Sequence, residues 1–177
     1  IPRFAELGVI ASMQGVHCTS DGVFVPERLG ETRSKNSAYV WRELLDSGAV
    51  VSNGTDAPVE DIDPIASFYA SVTRKMPNGK AFYPEHCMTR AEALKSYTLS
   101  CAYAAFEEDA KGSLTPGKLA DIVVLSKDIM TCPPEEIREA KVVYTIVGGK
   151  IAYQATQQSA PTDSNHPTDS KHPADSK

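Results

Sequence analysis

Two short stretches hold the side chains best suited to chemistry. Gly54-Thr55-Asp56-Ala57-Pro58-Val59 follows the apolar run Ala49-Val50-Val51 and presents a single carboxylate. Gln14-Gly15-Val16-His17-Cys18-Thr19-Ser20-Asp21 follows a second apolar run, Val9-Ile10-Ala11, and presents one histidine. A carboxylate can ligate a cation or take a proton; a histidine, which ordinarily titrates near neutrality, can ligate, touch substrate or carry a proton. Each also has a plainer role, Asp56 closing an Asx-turn and His17 serving as an ordinary loop residue. Cys18 beside His17 raises a Cys/His nucleophile, but adjacent loop residues rarely face each other and no third orienting group accompanies them, so this reading is disfavoured.

The elements that must position these groups follow from the apolar pattern. Val9 to Met13 and the run from Ala49 read as short buried strands, because adjacent β-branched residues suit a strand covered on both faces. Asp56 and His17 then both lie past strand C-termini, where parallel α/β folds keep their reactive groups. Phe4 to Leu7 end a helix that Gly8 can cap, and Ala38, Trp41, Leu44 and Leu45 make one face of a helix over 37–46 that Gly48 stops. Strand, helix and strand make the unit of a parallel sheet. Residues 22–34, with Pro26 and two glycines, read as a loop.

Further along, Asp63 before Pro64 predicts a helix start, so the acids Glu60, Asp61 and Asp63 are better explained by capping than by metal binding. Pro77-Asn78-Gly79 and Pro84 mark a loop that carries His86, a loop residue in this reading. Thr89-Arg90-Ala91-Glu92 is a capping box, opening a helix to about Ala105 that should be covered on most sides. After the turn-rich link 112–120 the texture changes to strands at 121–125 and 142–147, with Gly148-Gly149 as a hairpin turn into Lys150-Ile151-Ala152-Tyr153. From residue 155 a six-residue Pro-Thr-Asp-Ser period without large apolar side chains predicts a disordered tail, whose His166 and His172 are solvated.

Composition bounds the classes. A chain of 177 residues can bury a real core, and its 41% hydrophobic and 23% charged content is that of a globular protein. A net charge of −5 disfavours nucleic acid or an anionic membrane as partner. No apolar run is long enough for a membrane span, and Cys18, Cys87, Cys101 and Cys132 show no close pairing, so reduced thiols and a cytoplasmic location are expected. The start at Ile1 reads as a cut from a longer chain.

Taken together, the motifs resemble the metal-dependent amidohydrolases, in the YtcJ-like branch called amidohydrolase family 3. The residues that carry the resemblance are Pro2 to Gln14 with His17, Gly54 to Val59, Gly112-Ser113-Leu114 with Pro116 to Leu125, and Val143 to Ile151. Several motifs in order over residues 1 to about 153 make it specific. The resemblance implies an α/β chain, the C-terminal fragment of a (β/α)8 TIM-type barrel plus the C-terminal strands of a β-sandwich. Residues 1–111 would hold the last two barrel strands and helices, 112–153 the sandwich share, and 154–177 the tail. It further implies that Asp56 is both the metal ligand and the catalytic base toward a metal-activated water, and that His17 lies in the substrate pocket. The cofactor would be a divalent metal, commonly zinc. The reaction would be hydrolysis of a carbon–nitrogen bond other than a peptide bond, in a small-molecule amide or cyclic amide.

The pattern also departs from the family. Its first-strand HxH, fourth-strand bridging residue and fifth- and sixth-strand histidines have no counterpart here, whereas a catalytic zinc takes three protein ligands. The chain is therefore expected to be inactive alone, needing the N-terminal barrel portion or another partner to cover its sheet edges. The competing expectation is a non-catalytic remnant that serves as an interaction or scaffold module.

Overall fold

The structure is a computed structural model and describes residues 1–156; the repeats from Pro161, with His166 and His172, lie outside the described residues. Helix α1 (Pro2–Glu6) turns through Gly8 into strand β1 (Ala11–Gln14), which is followed by α2 (His17–Ser20), a 3-10 turn at Asp21–Val23, α3 (Val25–Leu29), α4 (Glu31–Ser37) and α5 (Trp41–Asp46). Strand β2 (Val51–Gly54) pairs with β1 in parallel, Ala11 opposite Val51 and Gln14 opposite Gly54. Next come α6 (Pro64–Thr73), a 3-10 turn at Pro84–His86, α7 (Arg90–Tyr97) and α8 (Leu99–Ala104). Strands β3 (Ile122–Leu125), β4 (Val142–Val147) and β5 (Lys150–Gln154) form a separate antiparallel sheet, with a 3-10 helix at Pro134–Glu139 between β3 and β4.

Local chemistry accounts for most boundaries. Asp63 accepts from the Ile65 amide at 2.9 Å and so caps α6, whose first residue is Pro64. Thr89 and Glu92 bond each other's backbone amides as a capping box for α7. Gly148 and Gly149 both have positive φ, as a tight hairpin between β4 and β5 requires. The core gathers between β1, β2 and the helices around Trp41, Leu44, Val51, Phe68 and Phe82, each at most 4% exposed. Burying side chains of that size stabilises by roughly 1.5–3 kcal/mol each.

Four sequence expectations are corrected. Residues 22–34 are not a loop: Pro26 lies in the first turn of α3, where its missing N–H costs nothing, and Gly30 at φ 76° separates α3 from α4. The helix over 37–46 is interrupted, because Ala38 is extended and Tyr39 has φ 56°. Tyr39 there makes two long-range bonds, its hydroxyl donating to Asp21 and its carbonyl accepting from Arg74 at 2.8 Å. The helix from Arg90 breaks at Thr98 into α7 and α8, and it is covered on one side only, Leu94 and Tyr103 being 40% and 47% exposed. Strand β1 is only partly buried, with Ser12 exposed.

One ion pair ties the helical layer together. Arg42 on α5 forks onto both carboxylate oxygens of Glu92 in the first turn of α7. That guanidinium holds the Glu92 carboxyl down at about 2, against 4.5 when unperturbed. A depressed carboxyl stabilises the fold above its unfolded value and loses that contribution as pH falls toward the folded value. Stability should therefore drop by about 2 kcal/mol through this pair between pH 4.5 and 2. Urea unfolding at stepped pH checks it: Glu92→Gln should flatten that part of the profile.

Candidate active site

Both groups singled out by type sit at the same end of the parallel pair. Strand β1 ends at Gln14 and β2 at Gly54, opposite each other, and three and two residues later the chain presents His17 and Asp56. The His17 Nε2 lies 3.3 Å from Asp56 Oδ2, with the side chains 21% and 42% exposed. The carboxylate is thus held by one partner and still open on its other side.

The turn after β2 is closed by the Asp56 carbonyl, which accepts from the Val59 and Glu60 amides at 2.8 and 3.2 Å. Among the described residues the Asp56 carboxylate makes no Asx-turn; its one partner is His17. Asp56 itself has φ 61°, in the left-handed region that Asp tolerates better than most residues. Opposite, Ser20 on α2 donates to Glu60 at 2.5 Å and so ties the His17 helix to the Asp56 turn. The acids near Asp56 are used as contacts of this kind: Glu60 on Ser20, Asp61 on the Asp63 amide, and Asp63 on the α6 cap.

Beneath the pair lies a buried polar layer that the sequence did not signal. Ser67 on α6 donates to the Gly54 carbonyl at 3.4 Å and meets the Tyr97 hydroxyl at 2.6 Å. Ser71 sits one turn on, 3.4 Å from the same hydroxyl. Gly15 packs against this cluster so closely that a Cβ on it would lie 1.9 Å from Ser71 Oγ and 2.9 Å from the Tyr97 hydroxyl. Asn53 on β2 donates to Ser96 at 2.9 Å. Serines at 67 and 71 share a helix face by their spacing of four, the one signal a sequence reading could have used.

Other candidates fall outside the pair. Cys18 is buried, donates to the Gly15 carbonyl at 3.2 Å, and burial pushes its thiol up to about 11, which removes the nucleophile reading. His86 is not a surface loop residue: it is 5% exposed and its Nε2 meets the Lys35 carbonyl at 3.0 Å. Cys18, Cys87, Cys101 and Cys132 are free thiols. No group of three or more His, Cys, Asp or Glu side chains able to hold a metal ion occurs among the described residues. A cavity of about 460 Å³ opens beside His17, lined also by Met13, Gln14, Tyr39 and Trp41. No helix among the described residues is long and apolar enough to cross a membrane.

A histidine and a carboxylate thus meet outside the carboxyl ends of a parallel strand pair in a mixed α/β chain. The family model described as "Amidohydrolase family" matches residues 1–153, and the chain belongs to that family, in amidohydrolase family 3. It is 38% identical over 152 residues to Protein LONG AFTER FAR-RED 3 of Arabidopsis thaliana, covering 85% of this chain and 26% of that one. It is 32% identical over 155 residues to N-substituted formamide deformylase of Arthrobacter pascens, covering 87% and 28%. Among solved structures, an uncharacterized metal-dependent hydrolase from Pyrococcus horikoshii OT3 matches with a TM-score of 0.65 and 30% identity, over 74% of this chain and 27% of that chain. The chain thus spans little more than a quarter of the length of these relatives.

The close approach at Gly15 makes a direct prediction. Gly15→Ala should destabilise the chain by about 2 kcal/mol or more, since a methyl group forced into a packed site displaces its neighbours. Adding Ser71→Ala removes the nearest clash and should recover part of that loss in thermal unfolding, whereas Ser71→Ala alone should not stabilise.

Proposed function

We propose that this chain carries part of the active site of a hydrolase that cleaves carbon–nitrogen bonds other than peptide bonds in small amides or cyclic amides. The observation that carries the reading is the 3.3 Å contact of His17 and Asp56 at the ends of parallel strands, in a chain of the amidohydrolase family. In this reading Asp56 is the catalytic base and a ligand, and His17 contacts substrate, a role supported by its place on the 460 Å³ cavity. The names of two relatives, a formamide deformylase and a metal-dependent hydrolase, support the substrate class and a divalent cofactor, for which zinc is our assignment.

The residues present do not by themselves fit a complete metal site. One ligand, Asp56, falls short of the three protein ligands a catalytic zinc takes. In this chain the chemistry of the pair is therefore proton handling. In the assembled protein the Asp56 carboxylate would accept a proton from an attacking water, a role supported by its 42% exposure beside the imidazole. On the same reading, residues 1–111 are the last strands and helices of a barrel and 112–153 the C-terminal strands of a β-sandwich. The remaining ligands would come from an N-terminal barrel portion, the chain alone being inactive, and the assembled protein would work in the reducing cytoplasm.

A second reading, a non-catalytic interaction or scaffold module, draws on the apolar side chains of the β3–β5 sheet, where Val123, Val147 and Ile151 are 55%, 56% and 61% exposed. One experiment separates the two. In the longest natural chain containing this sequence, turnover of N-substituted formamides should fall by about 10²- to 10⁴-fold in Asp56→Asn, with the thermal transition near that of the parent. Removing bound metal with a chelator should abolish the same turnover. Full activity in Asp56→Asn refutes the role of Asp56.

A further inference from the structure

Ser67 and Ser71 are 1% and 0% exposed on α6, and the Tyr97 hydroxyl at the end of α7 reaches both. The Ser67 hydroxyl lies 3.4 Å from the Gly54 carbonyl and 2.6 Å from the Tyr97 hydroxyl, a bond either hydroxyl can donate. Ser71 gives its proton to the Ser67 carbonyl at 3.1 Å. The phenol oxygen also packs on Gly15, where a Cβ would come within 2.9 Å of it. Gly54 precedes Asp56 by two residues and Gly15 precedes His17 by two, so the Tyr97 hydroxyl lies against Gly15 directly and reaches Gly54 through Ser67.

We infer that Tyr97 is a positioning residue that sets the separation of His17 and Asp56, acting on the Asp56 side through Ser67 and Gly54 and on the His17 side through Gly15. The inference rests on the reading that these two side chains work as a pair. Tyr97 touches neither of them, and its ring contributes separately to the core, tilted against Phe68 at 6.5 Å between centroids. Burial pushes the phenol above its ordinary value, with the Ser67 and Ser71 hydroxyls and the Gly15 backbone opposing that, so it stays neutral at physiological pH. Removing the hydroxyl while keeping the ring would leave the packing and release the two loops to drift relative to each other.

The test is histidine-selective ¹³C/¹⁵N spectroscopy of the longest natural chain containing this sequence at one fixed pH, with the His17 signal identified by its loss in His17→Ala. Asp56→Asn should displace the His17 ring signals, because it changes their immediate neighbour. Tyr97→Phe should displace them in the same sense by about half as much or more, and Ser67→Ala likewise, with the double variant moving them by less than the sum. The half-exposed Tyr103→Phe serves as the control and should leave them in place. If Asp56→Asn moves the His17 signals and neither Tyr97→Phe nor Ser67→Ala does, the inference is overturned while the pair stands. If Asp56→Asn itself moves nothing, the pair is not formed and both fail. Should Tyr97→Phe lose the dispersed spectrum of a folded chain, Ser67→Ala carries the decision.

Discussion

His17 and Asp56 meet because β1 and β2 run parallel in a register that brings Gln14 level with Gly54. Everything at the candidate site inherits that register. A slip of one residue would shift Asp56 along its strand by about 3.3 Å, the rise of an extended residue, and would also turn the side chains of β2 to the opposite face. A displacement of that size would about double the 3.3 Å separation of the two groups, so their contact exists in one register and in no neighbouring one.

Two sets of contacts hold that register, one apolar and one polar. Ala11 and Val51, opposite each other, are 1% and 2% exposed, and a slip would set Val51 against the exposed Ser12. Asn53 adds a buried bond to Ser96 on α7, which fixes β2 along its own length in a way that apolar packing cannot. Farther out, Arg74 is wholly buried at the end of α6, where its Nη1 donates to the Tyr39 carbonyl and its Nε to the Phe82 carbonyl. Burial lowers its pKa, and the guanidinium is held by carbonyls and by the Phe82 ring at 5.4 Å. Through Tyr39 and Asp21 that contact reaches the segment that follows His17, so the floor of the site is anchored from the helical layer as well as from the sheet.

What the sequence made legible follows from range. The α6 cap, the capping box and the Gly148–Gly149 hairpin are written in residues a few positions apart, and each stands as read, as does the existence, though not the full burial, of the first parallel strand. His17 and Asp56 could be picked out as residues past strand ends, while their contact across 39 positions could only be expected from the family resemblance. Two of the misread segments are helices interrupted where Tyr39 and Thr98 leave helical geometry, and at Tyr39 the bonds to Asp21 and Arg74 lie 18 and 35 positions away. Ser67, Ser71 and Tyr97 escaped notice for the same reason, since small hydroxyl residues on an apolar helix read as tolerated filler until a third side chain is seen between them.

The exposed apolar side chains of β3, β4 and β5 do not decide between a hydrolase and a scaffold, because both readings require something to cover that sheet. The backbone at Asp56 does bear on the choice. A residue other than glycine at φ 61° costs of order 1 kcal/mol or more, and such conformations persist where the surroundings hold them. Here Ser20, Ser67 and Gly15 spend buried or half-buried contacts on that turn and on its neighbour, and the result is a carboxylate 42% exposed facing an imidazole across 3.3 Å. A module that only binds through its β3–β5 sheet gains nothing from holding those two groups together past the ends of the parallel strand pair. Proton transfer gains directly, since a fixed carboxylate meets its water without first reorganising.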